Sequence, residues 1–189
     1  AGSPFWQRLA YDELLAGQLA LALVRQSQKA SRGRAIDGDG RFRARIADAL
    51  PFELTQSQRT ATTEIAADMA APTRMLRLLQ GDVGSGKTVV ALMAMAIAVE
   101  AGAQAALMAP TEVLARQHAE TIAPLAEKAG LRLGLLTGRE KGRARKAVLE
   151  HLAAGEIDIL IGTHALFQPD VVFEDLAFAV IDEQHRFGV

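Results

Sequence analysis

The chain has 189 residues, half of them apolar and 23% charged, with a formal net charge of −1, which is room for one sizeable α/β domain with a real core. So even a charge balance carries no argument for a polyanionic partner, which leaves only local patches to make one. With no cysteine in the chain, disulfides, thiolate metal sites and thiol nucleophiles are excluded, as fits a reducing cytoplasm.

The opening AGSPFWQRLAYDELLAG lacks the basic-then-apolar layout of a signal peptide. The longest apolar run, VVALMAMAIAV at 89–99, is too short to span a bilayer and reads as a buried helix. The expectation is a soluble, intracellular protein with no membrane partner. In chain order, Leu14, Leu15, Leu19, Leu21 and Leu23 recur at helical spacing and predict an amphipathic helix over 5–29. SRGRAIDGDGR at 31–41 is a polar, glycine-rich break. A short helix follows around 41–49, ending at Pro51, and Thr55 caps another that runs to the Ala-Pro-Thr stop at 71–73.

The rhythm then changes. Five short apolar runs read as strands: MLRLLQ (75–80), QAALMAP (104–110), RLGLLTG (132–138), IDILIGT (157–163) and LAFAVIDE (176–183). Helical segments at 87–101, 112–129 and 139–154 fill the gaps between the first four. Strands alternating with helices of this length predict βαβ units and a parallel sheet flanked by helices on both faces. The expected division is a helical lead-in over 1–50 and an α/β nucleotide-binding domain over 51–189.

GDVGSGKT at 81–88 satisfies G-x-x-x-x-G-K-[ST], the P-loop pattern. The backbone of Gly81, Asp82, Val83, Gly84, Ser85 and Gly86 would cradle phosphates, glycines allowing close approach and the following helix N-terminus offering unpaired N–H groups. Lys87 would bridge the β- and γ-phosphates, and the Thr88 hydroxyl would ligate Mg²⁺. A plain turn with a surface lysine would need neither a strand before it nor an apolar helix after it. FAVIDEQH at 178–185 then supplies an apolar strand ending in two acids. Asp182 would hold the Mg²⁺ and Glu183 would polarise the attacking water, at the carboxyl end of a strand where such sheets bind ligands. The adjacent pair favours an ATP-driven motor over a metabolic P-loop kinase, and also over a nucleotide-dependent binding module with no work output.

Six phrases in order carry a resemblance that covers nearly the whole chain: RLAYDELLAGQLAL (8–21), LPFELTQSQ (50–58), DMAAPTRMLRLLQGDVGSGKTVVA (68–91), APTEVLARQH (109–118), IGTHALFQ (161–168) and VIDEQHRFGV (180–189). With them the chain resembles superfamily 2 helicases, and among these the RecG branched-DNA helicases. The transcription-repair coupling translocases share DEQHRFGV, but RLAYDELLAGQ and SGKTVVA favour RecG. The resemblance implies a RecA-like motor domain using ATP and Mg²⁺ and acting on branched DNA. By residue, it implies adenine recognition by Gln58, whose amide complements adenine N7 and N6. It implies DNA contacts at Thr111, Arg116, Gly138 and Thr163, and coupling of nucleotide to DNA and the partner domain by Gln184 and His185. REKGRARK at 139–146 reads as a solvated helix face rather than a DNA patch.

Relative to the family pattern, the second RecA-like domain with its arginine fingers and the wedge domain are absent from this chain. The strand that in such domains lies between the P-loop strand and the acidic-motif strand is missing too. The expectation is a fragment whose sheet leaves two apolar strands with unpaired backbone groups, and which alone hydrolyses ATP little.

Overall fold

A computed structural model describes residues 32–183. The helix expected over 5–29, and Gln184 and His185, lie outside the described residues.

Helix α1 spans Arg41–Ala49, and its cap residue Gly40 supplies no side chain to the first turn. Glu100 supplies one from elsewhere. Its carboxylate accepts N–H bonds from Gly40, Phe42 and Arg43, each at 2.9 Å, and pairs with the Arg43 guanidinium. A buried anion thus sits at a helix N-terminus, where orphan donors and the dipole favour it. Helix α2, Gln56–Ala70, starts on a full capping box: the Thr55 hydroxyl accepts the Gln58 N–H, and the Gln58 side chain accepts the Thr55 N–H.

Helix α3, Lys87–Glu100, is apolar on every side and buried from Val89 onward save for Ala91, as a central core helix must be. Around it the chain alternates β1 (Gln104–Met108), α4 (Glu112–Ala129), β2 (Leu133–Leu136), α5 (Gly142–Ala153), β3 (Ile159–Gly162), a 3₁₀ turn (His164–Phe167) and β4 (Leu176–Ile181). The four strands form a parallel sheet in the order β2-β3-β1-β4. Side chains alternate across it. Ala105, Leu107, Ile159 and Ile161 join the core beneath α3 and α4, whereas Ala106, Met108 and Leu160 face the smaller core containing Leu152 of α5. This is the α/β layering expected.

Where the chain enters the sheet, Gln104 is buried, and both of its side-chain polar atoms are bonded. Its amide N–H groups donate to the carbonyls of Leu152 and Ile157, and its oxygen accepts the Asp175 N–H. One side chain therefore ties the end of α5 to the entries of β3 and β4.

One expected strand does not form. Residues 75–80 carry no strand pairing, although the period-2 pattern persists: Met75 and Leu79 pack on the core while Leu76 and Leu78 are exposed. The segment is held instead through Arg77, which pairs with Glu64 and Asp68 of α2. The physical reason is the lack of a ladder partner. β4 ends the sheet, with Leu176 and Ile181 45% and 46% exposed, and among the described residues no strand lies between it and the P-loop segment. Residues 75–80 and the outer edge of β4 therefore both lack a ladder neighbour among the described residues.

Candidate nucleotide site

The loop at 81–86 is a tight turn running into a helix. Ser85 N–H donates to the Asp82 carbonyl, and Val89 and Val90 donate to the carbonyl of Gly86, the α3 cap. Gly84 and Gly86 both have φ +81°, the left-handed region that side chains disfavour. At Gly86 a side chain would also have to displace Gln58, because a Cβ would collide with its amide nitrogen. That nitrogen donates to the Ser85 carbonyl at 2.9 Å. Gln58 is therefore buried and spans α2 and the loop, its oxygen accepting from the cap and one N–H donating to Ser85. Lys87 folds back over the loop and donates to the carbonyls of Gly81 and Asp82 at 2.7 and 2.8 Å.

β4 delivers the acidic pair to the same edge. The Asp182 N–H donates to the Met108 carbonyl at the end of β1. Thr88, Asp182 and Glu183 then line one pocket of about 330 Å³, with Leu114, Gln117 and His118 of α4 on its other wall. Glu183 has φ +50°, a conformation that costs a non-glycine residue about 1 kcal/mol or more and concentrates at functional sites. His118 Nε2 lies 2.7 Å from Asp182 Oδ2. Among the described residues no group of three or more His, Asp or Glu forms a cage for a metal ion. Mg²⁺ in a P-loop site is held by one or two protein oxygens together with substrate phosphates. The bare-backbone cradle at Gly84–Gly86, with the Thr88 hydroxyl and Asp182 across one pocket, is a donor set of that kind. A larger cleft of about 600 Å³ between β2 and α5, lined by Gly134, Leu135, Val148 and His151, holds no such combination.

The residues expected on the DNA side gather at the carboxyl ends of β1, β2 and β3. Thr111 caps α4, its hydroxyl accepting the Leu114 N–H. Arg116 reaches the loop after β2, donating to Glu140 at 2.7 Å and to the Thr137 hydroxyl at 3.5 Å, while its Nε is buried without a partner. Gly138 is exposed and approaches Glu112 so closely that a Cβ would sit 2.9 Å from the carboxylate. Thr163 is only 2% exposed and caps the 3₁₀ turn. Glu140 organises the corner. Burial alone would raise its carboxyl, but hydrogen bonds from the Thr137 hydroxyl and N–H and from Arg116 outweigh that and hold it below the ordinary carboxylate range. The basic run after it is solvated or paired locally, Arg145 with Asp170 and Lys146 with Glu150.

Sequence reasoning missed two residues of these clusters. Glu140 carries no signal beyond its place in a polar run. His118 sits in the quoted phrase APTEVLARQH, but its contact spans 64 positions and no local pattern marks it.

Residues 55–189 match the family of DEAD/DEAH box helicases. The chain belongs to that family. Within it, this helicase chain is 49% identical over 184 residues to the ATP-dependent DNA helicase RecG of Bacillus subtilis, covering 97% of the chain and 27% of that protein. It is 43% identical over 185 residues to RecG of Aquifex aeolicus, covering 98% and 23%. A solved RecG bound to a three-way DNA junction superposes with a TM-score of 0.83 at 42% identity, over 96% of the helicase chain and 25% of that one. The chain thus spans about a quarter of the length of these relatives.

Proposed function

We propose that this chain is most of the first RecA-like motor domain of an ATP-dependent helicase that remodels branched DNA in the cytoplasm, with residues 1–50 leading into it and a second motor domain and a wedge domain supplied by the longer protein. The observation that carries the reading is the single pocket shared by Thr88 and Asp182 beside a glycine cradle. The relatives' printed activity supports the substrate.

In this reading the amides at Gly84–Thr88 bind the triphosphate, and Lys87 leaves the carbonyls of Gly81 and Asp82 for the β- and γ-phosphates. The Thr88 hydroxyl and Asp182 hold Mg²⁺, which when bound neutralises charge on the transferring phosphoryl group. Glu183 orients water and takes its proton. Gln58 fixes the cradle through Ser85, and adenine recognition falls to the second N–H and the second oxygen lone pair of its amide. Thr111, Arg116 and Gly138 contact phosphates without reading sequence, Arg116 after parting from Glu140. Thr163 shapes its loop from within. Gln184 and His185 couple the site to DNA and to the second domain.

The test is ATP turnover by a longer protein that carries this sequence, with and without fork DNA. Turnover should rise with fork DNA. Lys87→Ala should lose nucleotide binding, whereas Glu183→Gln should keep binding and lose turnover. This chain by itself should bind ATP yet turn over about 10³-fold or more slowly, for want of arginine fingers. Rapid DNA-stimulated hydrolysis by the chain alone would refute the reading.

A further inference from the structure

Helix α4 presents Leu114, Gln117, His118 and Thr121 to the Thr88–Asp182 pocket, the i, i+3, i+4, i+7 stripe of one helix face. Of these, His118 contacts Asp182. An ionised carboxylate only accepts hydrogen bonds, so at 2.7 Å from Asp182 Oδ2 it is the His118 Nε2–H that donates. Both side chains are largely withdrawn from water, 16% and 29% exposed. Asp182 is thereby held from two directions: its backbone by β1 through Met108 and its carboxylate by α4 through His118. Oδ2 carries the imidazole contact, which leaves Oδ1 available for another partner.

We propose that His118 is a positioning residue for Asp182, orienting its carboxylate so that Oδ1 meets the magnesium of a bound nucleotide. The inference rests on the nucleotide reading above and adds to it a residue that acts through another. Partners that orient a ligating carboxylate typically contribute about 10- to 100-fold in metal affinity. His118 makes its hydrogen bond to Asp182 and none to the phosphate cradle at Gly84–Thr88, so nucleotide affinity without metal should not depend on it.

The experiment measures binding of a fluorescent ATP analogue to this chain, first in EDTA and then as Mg²⁺ is titrated. Wild type, His118→Ala, His118→Gln, Asp182→Asn and Lys87→Ala are compared. His118→Ala should raise the Mg²⁺ concentration for half-maximal enhancement about 10-fold or more while leaving affinity in EDTA unchanged. His118→Gln, which keeps an N–H donor at similar reach, should recover most of that loss. The proposal is overturned if His118→Ala needs no more Mg²⁺ than wild type, if it loses EDTA affinity to the same degree, or if glutamine rescues nothing. Failure of the nucleotide reading looks different: wild type then binds no analogue, or Lys87→Ala binds it equally well, and both ideas fall. A Mg²⁺ enhancement that Asp182→Asn abolishes and His118→Ala leaves intact removes the His118 assignment alone.

Discussion

At Gly86 a positive φ and a steric limit coincide: the backbone is left-handed, and a Cβ there would strike the Gln58 amide. Gly86→Ala should therefore cost about 1 kcal/mol for the conformation alone. It should also weaken ATP binding at least tenfold by displacing the loop, read by thermal unfolding and nucleotide titration together. Glu140 gives a pH-dependent prediction. Its folded-state pKa is depressed, so its contribution is complete above the ordinary value of 4.5 and is lost as pH falls through the lower folded value. Glu140→Gln should cost about 1–2 kcal/mol in urea unfolding at pH 7, with the gap narrowing only below the ordinary carboxylate range. An equal gap at low pH would contradict this. Local pattern made the loop glycines, Lys87 and the Asp182–Glu183 pair legible in the sequence, because each is defined by its immediate neighbours. Gln58 was readable as a site residue only by resemblance, and its burial against Ser85 was not. His118 and Glu140 were invisible, their roles depending on contacts across the fold.

At the scale of elements, α1 depends on a cap it does not encode. Glu100→Gln should cost about 3 kcal/mol, because Arg43 and three N–H groups lose their shared anion; Arg43→Ala should cost less, since the N–H bonds remain. Chemical unfolding of both variants checks the order. Among the described residues, periodicity located the helices within a few residues and four of five strands, since α3 and β1 are buried on all sides and α4 keeps one stripe. It failed at 75–80 for a reason no single segment contains. A stretch with strand-like alternation becomes a strand only when a neighbour offers a ladder, and none does so here.

At the scale of the whole molecule, the four-stranded sheet has two edges, β2 and β4, and residues 75–80 pair with neither. Hydrogen exchange should reflect this: amides of Leu107 and Leu160 slow, those of Leu76 and Leu78 fast. Protection at 75–80 matching that of β1 would mean that a partner strand is present after all. A longer protein supplying that strand should slow exchange along both 75–80 and β4. The account as a whole turns on one site, formed where the loop before α3 meets the end of β4. Its most direct test is a crystal structure of this chain grown with Mg²⁺ and a non-hydrolysable ATP analogue. The account predicts the β- and γ-phosphates on the amides of Gly84–Thr88, with the metal between the Thr88 hydroxyl and Asp182. A nucleotide bound in the cleft between β2 and α5, or phosphates that leave the Gly84–Thr88 amides untouched, would contradict it.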